Sequence, residues 1–470
     1  MLDGRADQER GQALKTHISI LSPTAILGYG FPETSFREGL SRNPDAIAVD
    51  AGSTDPGPYY LGSGESFTNH DAVKRDLLLI IKAGLEKNIP VLIGTAGGSG
   101  ARPHLQWCME IIDDVLCDLN RCALVAEISS DQDPDTVVDA LNSGRISGLG
   151  PVPFLDVEAI QNSSNIVAQM GVEPVIEALE GGAQIVVTGR CYDPAVFAAV
   201  PIKAGFPEAL ALHMGKILEC AAIAAAPGSG SDCMIGVLDE TGFTIEALSP
   251  ERMCTVTSVA AHTLYEKADP RFLPGPGGVL DLTECKFEQV NERRVRVHGT
   301  RLQKSAHYAI KLEGARPVGY RTICIAGIRA PDLIHQLDDV LAAVRDRVFS
   351  NFQSINPSDA QLLFRCYGQN GVMGELEPVT DQVPYEVGLV IEVIAKTQTT
   401  ADTVCSFARS TLLHFGYPGR LSTAGNLAFP YSPSDISHGV VYEFSIYHLM
   451  TIDDPIGPFP IRLKEMGVAS

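Results

Sequence analysis

Between residues 45 and 200 the chain alternates short apolar runs with amphipathic segments, and this alternation constrains the fold more than any other feature. AIAVDA (46–51), PVLIG (90–94), CALVAEI (122–128) and QIVV (184–187) are short and almost uniformly apolar, as expected for strands covered on both faces. Leu77, Ile80, Ile81, Gly84 and Leu85 recur at helical spacing behind the cap-type residues Asn69 and Asp71. Leu105, Met109, Ile112, Leu116 and Leu119 mark a longer helix, and shorter ones are expected over 134–141 and 173–179. Strand, loop and helix in repetition predict an α/β fold whose parallel sheet is flanked by helices in the N-terminal half.

The second half has a different rhythm. Ser249, Pro250 and Glu251 read as N-cap, first position and first-turn acid of a helix through 255–266. RRVRVHG and TICIAGI are β-rich runs between 279 and 325. VGLVIEVIA (387–395) reads as a strand, and Val404, Phe407, Ala408, Thr411, Leu412 and Phe415 as a helix face. VVYEFSIYH (440–448) reads as a closing strand. At roughly 100–200 residues per domain, 470 residues suggest more than one unit. With PGSGSD (227–232) as the linker, the expected order is a disordered lead-in over 1–15, a parallel α/β domain over 16–230 and a second, mixed α/β lobe over 231–470, ending in a strand–helix–strand unit.

Charge and cysteine usage narrow the function classes. Subtracting 57 Asp and Glu from 36 Lys and Arg gives −21, a surface repelled by phosphate backbones and anionic lipid. No nucleic-acid or membrane role is expected. Eleven cysteines without any C-x-x-C spacing read as reduced core thiols. Met1 to Lys15 has no apolar signal region, and no run approaches a membrane span. A cytoplasmic chain is expected, and symmetric homo-oligomers are the common form of soluble assemblies.

Ligands of an open parallel sheet bind beyond the carboxyl ends of its strands. The candidates are therefore Asp50, Ser53, Thr54 and Asp55 after the first run, Thr95 to Gly100 after the second, Glu127, Ser129 and Ser130 at the third, and Gly189, Arg190 and Asp193 after the fourth. In TAGGSGA, Gly97 and Gly98 free backbone N–H groups to approach an anion at a helix N-terminus, although a tight strand-to-helix turn would need the same small residues. The loop has neither G-x-G-x-x-G nor a P-loop lysine, so no nucleotide is indicated. Ser99, in G-G-S-G-A between a strand and a helix, loosely resembles a nucleophile elbow and keeps a serine hydrolase open. Arg190 offers a planar fork to a carboxylate, or pairs with Asp193. Asp50, Asp55 and Glu127 would serve proton transfer, or Mg²⁺ if they converge; capping is the favoured reading for Asp50. His262 precedes Glu266 by one helical turn but has no second ligand in view, and reads as an ordinary histidine. Lys311, Glu313, Asn370 and Asn426 are candidates for a second wall.

DAGSTDPGPYYLGSG (50–64), KRDL (74–77), IGTAGGSGA (93–101) and VAQMGVEP (167–174) resemble the acyclic terpene utilisation AtuA-like family. VVTGRCYDPAVFAAVPI (186–202), KILECAA (216–222), SVAAHTLYEKADP (258–270), KLEGARPVGYRTICIAGIR (311–329) and GNLAFPYSPSD (425–435) continue the match, over about residues 18 to 460. The resemblance implies a catabolic, cytoplasmic setting, branched carboxylic acids or their thioesters, and a small ferredoxin-like module, fused or supplied as a partner chain. Its blocks coincide with Ser53, Thr54, Asp55, Gly97, Gly98, Arg190 and Asp193. The expected function is a hydratase or dehydratase. Arg190 and the TAGGSG loop would hold the carboxylate or enolate oxygen, and Asp55 or Glu127, with Asp193, would move the proton. Ser53, Thr54, Thr95, Gly97, Gly98, Ser99, Asn370 and Asn426 would contact substrate. The alternatives are a partner-dependent, non-catalytic subunit of a catabolic complex and, behind it, a hydrolase using Ser99.

Overall fold

A computed structural model describes residues 15–352, 355, 359–379 and 381–468, so the lead-in expected at the N-terminus lies, apart from Lys15, outside the described residues. The chain forms two compact units. One comprises residues 1–316 and 444–470, the other 317–443.

The first unit contains β1 (Ile18–Ser22), β2 (Ala46–Asp50), β3 (Val91–Gly94), β4 (Cys122–Ile128), β5 (Ile146–Gly148), β6 (Asn165–Ala168), β7 (Ile185–Thr188), β8 (Met234–Leu238) and β9 (Gly242–Ala247). Its main sheet has ten strands in the order Lys286–Asn291, Arg294–His298, β9, β8, β1, β2, β3, β7, β4, Ile461–Gly467. The five strands from β1 to β4 in that order are parallel, as the alternation predicts. The flanking strands are antiparallel.

Period-two alternation sends successive side chains to two separate cores. Ala46, Ala48, Leu92 and Val186 face one, against the helices Ala195–Lys203 and Glu208–Leu218. Ile47, Val49, Val91, Ile93, Ile185 and Val187 face the other, against His70–Lys87 and Arg102–Asp118. The alanines on the first face meet Ala195, Ala198 and Ala199, so the helix packs close to the sheet. Asn69 caps His70–Lys87 by accepting from the Asp71 N–H, which matches the expected start. The other expected cap is displaced. The helix after 250 is Val256–Thr263, started by a capping box of Thr255 and Ser258 rather than by Ser249. The two hydroxyls satisfy each other's backbone N–H groups, an arrangement Ser249 cannot make from six residues upstream.

PGSGSD is not where the units divide. Directly after it β8 pairs antiparallel with β1, so the chain stays in the same sheet. The division falls at 316/317 and 443/444, inside the long strands Tyr308–Ile328 and Asp435–Ile452.

The second unit follows a strand–helix–strand–strand–helix–strand order. Its strand order is Ala360–Tyr367, Val387–Ala395, Tyr308–Ile328, Asp435–Ile452, and its helices are Leu337–Asn351 and Gln398–His414. That is the ferredoxin-like split βαβ arrangement. Leu337, Val344, Val404, Ala408 and Leu412 bury their helix faces against Cys324, Leu389 and Ile391 of the sheet. All eleven cysteines are free and seven are buried. Among the described residues no helix is long and apolar enough to cross a membrane.

Candidate functional site

The strand order β2–β3–β7 sets side by side three carboxyl ends that lie far apart in sequence. Register pairs Asp50 with Gly94 and Ile93 with Val187, so the loops carrying Asp50, Thr95 and Arg190 emerge together. Thr95 begins its loop in the left-handed region at φ 43°, rare for a β-branched residue. The conformation is held by hydrogen bonds: its N–H donates to Thr188 Oγ1 at 3.1 Å, and its own Oγ1 accepts from the Cys191 N–H at 3.3 Å and from Arg190 Nη1 at 3.4 Å.

Arg190 is buried, and its contacts organise the site. Nε donates to Glu313 Oε2 at 2.8 Å; Nη1 donates to Asp193 Oδ1 at 2.8 Å and to the Cys191 carbonyl at 2.7 Å. Glu313, fully buried, accepts from Thr54 Oγ1 at 2.6 Å and pairs with Lys311 at 2.7 Å. Burial alone would raise the Glu313 pKa. Arg190 and Lys311 overcome that and hold it at about 2. The Lys311 ammonium also sits 4.3 Å from the centre of the Tyr447 ring.

A cavity of about 610 Å³ opens against this network. Arg190, Asp193, Asp55, Lys216, Glu266, Lys267 and Lys311 supply its charges, while Leu149, Tyr192, Pro274, Val279 and Leu449 give it an apolar side. Lys216 forms a buried ion pair with Glu219. Burial raises the Glu219 carboxyl to about 7 against the pull of Lys216. Burial raises Asp50 as well, helped by the nearby Asp193 and opposed by Arg190. Lys267 makes no ion pair among the described residues. Burial first, and then the charge of Lys216, lower its pKa.

The structure brings together Thr54, Asp55, Thr95, Arg190 and Asp193 from the expected set, with Ser53 bonded to Asp55 at 2.7 Å. Lys311 and Glu313 join them as a wall and its support. Glu127 does not. It pairs with Lys464 on the Ile461–Gly467 strand and lines a separate groove of about 660 Å³ beside the Arg102–Asp118 helix. In register with Arg462 of that edge strand, Glu127 is held on the sheet face beside the Arg102–Asp118 helix. The carboxylates therefore do not converge as Mg²⁺ binding would require. Among the described residues no group of three or more His, Cys, Asp or Glu forms a metal position.

The TAGGSG loop is a packing turn. A side chain at Gly98 would stand 2.7 Å from Phe67 Cβ, one at Gly97 2.7 Å from His104 Cβ, and one at Gly100 would overlap the Arg190 backbone nitrogen. Ser99 is buried and its Oγ has no hydrogen-bond partner, so no base activates it. Asn370 and Asn426 belong to the second unit. Asn370 is exposed in a turn, and Asn426 donates to the Leu412 and Phe415 carbonyls to close a helix C-terminus. Asp50 is more than a cap, since its buried Oδ1 has no hydrogen-bond partner.

Lys216, Glu219, Tyr192 and Lys267 were outside the expected set. A signal existed for two of them: Lys216 and Glu219 are the only charges in the apolar run ALALHMGKILECAA, spaced to pair on one helix face. Two unmatched charges in a helix that must be buried call for each other.

A family model described as "Acyclic terpene utilisation family protein AtuA" matches residues 71–431. Neither a comparison with curated proteins nor one with solved structures finds a significant match. The match covers most of the chain, and the protein belongs to the acyclic terpene utilisation family, a family of catabolic proteins.

Proposed function

We propose that this member of the acyclic terpene utilisation family is a hydro-lyase, a hydratase or dehydratase, acting on a small branched carboxylic acid or its acyl thioester in the cavity beside Arg190. One observation carries the reading: the cavity wall combines a carboxylate held in place with an ammonium that makes no ion pair among the described residues. Asp193 is oriented through Oδ1 by Arg190, and Lys267 has no ion-pair partner among the described residues.

Adding or removing water next to a carbonyl requires a proton to move at the neighbouring carbon while charge grows on the carbonyl oxygen. Lys267 in its protonated form, together with Lys311 on the same wall, supplies positive charge for that oxygen. Asp193 has one oxygen committed to Arg190 and the other to offer to the proton. Arg190 acts here as a positioning residue, since Glu313, Asp193 and the Cys191 carbonyl already engage it. The apolar side formed by Leu149, Val279 and Leu449 suits a branched alkyl group, as does a family that consumes terpene skeletons. Eleven free thiols support a cytoplasmic setting for this chemistry.

The test is proton NMR in D₂O with a panel of branched carboxylic acids and acyl-CoA thioesters. Wild-type protein is expected to place deuterium α or β to the carboxyl group or to produce alkene signals. Asp193→Asn is expected to slow this by about 100-fold or more, the usual cost of losing a positioned proton carrier. Silence across the panel from folded protein supplied with Mg²⁺ would overturn the hydro-lyase reading in favour of a subunit that needs a partner chain, such as a small ferredoxin-like protein.

A further inference from the structure

Four cations line the cavity, and three are matched: Arg190 by Asp193 and Glu313, Lys311 by Glu313, and Lys216 by Glu219. Lys267 is the exception among the described residues. It is half-buried, its ammonium stands 6.0 Å from the centre of the Tyr192 ring, and it shares the cavity with Lys216, whose own charge is pinned by Glu219. The preceding residue, Glu266, also lines the cavity and holds a left-handed backbone at φ 59°. Non-glycine residues keep such a conformation where the surroundings fix it, and functional sites are where it concentrates. Glu219, Asp193 and Glu266 favour its charged form only from beyond ion-pair distance, and burial with the charge of Lys216 outweighs them; a lysine so placed gives up its proton more easily and becomes a nucleophile. The lowered pKa of Lys267 agrees with that geometry.

We propose that Lys267 captures the carbonyl group of a small branched keto acid as an imine, an activity beyond hydration that narrows the substrate class of this cavity. The proposal rests on reading the cavity as the substrate site. In the step, the Nζ lone pair adds to the keto carbon while the C–O π pair moves to oxygen. The two protons of the neutral amine pass to that oxygen, which leaves as water, and a C=N bond remains. Asp193 and Glu266 are the carboxylates on the wall able to carry those protons. No oxidant or reductant is involved, and protonation of the imine nitrogen acidifies the adjacent C–H.

The experiment incubates the full-length protein with 3-methyl-2-oxobutanoate at neutral pH, adds sodium borohydride to reduce the imine to a stable secondary amine, and maps the adduct by peptide mass spectrometry. The adduct is expected on the Lys267 peptide at several times the occupancy found at exposed Lys304 and Lys396. It should vanish from that peptide in Lys267→Arg, whose folding is checked by its thermal melt. Labelling spread equally over Lys304, Lys396 and Lys267, or missing from Lys267, overturns the proposal, and the wild-type map alone decides this if the variant fails to fold. Deuterium exchange run in parallel separates the two readings. Exchange without an adduct overturns imine formation and leaves the hydro-lyase reading standing, whereas an adduct without exchange does the reverse.

Discussion

Glu313 in the first unit and Glu392 in the second are both strand glutamates flanked by two cations, yet they sit in different dielectric surroundings. Glu313 is completely buried between Arg190, 3% exposed, and Lys311, 15% exposed, with Thr54 as a third partner. Glu392 is met by Arg321 at 2.6 Å and by both Nε and Nη2 of Arg365, but those arginines are 30% and 48% exposed. Water shares the load in the second unit and cannot in the first. Glu392 itself is only 6% exposed, but its arginines reach water, which can take up their charge when the glutamate is lost; in a cluster buried on every side the surviving charges are stranded. Glu313 also ties three separate segments together: the loop after β2, the loop after β7 and the Tyr308–Ile328 strand. The equivalent charge in the second unit joins only neighbouring strands of one sheet.

The sharpest way to break this comparison is to neutralise each glutamate in turn. Glu313→Gln is expected to lower stability by about 3–5 kcal/mol in urea unfolding, because Arg190 and Lys311 lose their shared buried counter-ion. A loss no greater than that of Glu392→Gln would remove the distinction. Acid titration sharpens it further. The Glu313 pKa lies below its ordinary value of 4.5, at about 2, so its contribution is complete above that ordinary value and drains away as pH falls toward 2. That window is worth roughly 3 kcal/mol, and the acid limb of the unfolding curve should flatten across it in Glu313→Gln.

Asp50 runs with the opposite sign. Its pKa is raised by burial, so its charged form opposes folding, and stability falls as pH rises above the ordinary value of 3.8. Asp50→Asn is expected to raise stability by about 1 kcal/mol at neutral pH in thermal melts while lowering turnover, the usual exchange at a strained site. An unchanged melting curve would show that burying Asp50 costs no stability at neutral pH and would contradict the raised pKa. The smallest effect belongs to Glu392→Gln, at less than about 1 kcal/mol, and added salt should shrink it.

Much of the first unit was legible because buried parallel strands and amphipathic helices leave strong periodic marks, and CALVAEI ends where its strand does; in the second unit VGLVIEVIA does the same in an antiparallel sheet. What local pattern does not encode is which strands become neighbours. β7 enters between β3 and β4, and Ile461–Gly467 closes the far edge against β4; each placement depends on long-range packing. Glu127 was misplaced for that reason, since its position at a strand end was correct but the strand lies two places from β3. Arg190 and Asp193 were legible as residues following a strand, while Lys267 follows a helix and a turn in the antiparallel part of the unit, where the strand-end rule has no reach. Asn426 carried the signature of a turn residue, and a helix terminus is what it serves.

At the meeting of the loops after β3, β4 and β7, Ser130 Oγ donates to the Gly100 carbonyl at 2.9 Å and accepts from the Arg190 N–H at 2.6 Å. A side chain at Gly189 would overlap that hydroxyl, and one at Gly100 would overlap the Arg190 nitrogen. In evolutionary terms this knot is a ratchet. A side chain at 100 or 189 meets occupied space and loss of the hydroxyl at 130 breaks both of its hydrogen bonds, so lineages that diverge in substrate should vary the rim of the cavity and inherit the knot unchanged.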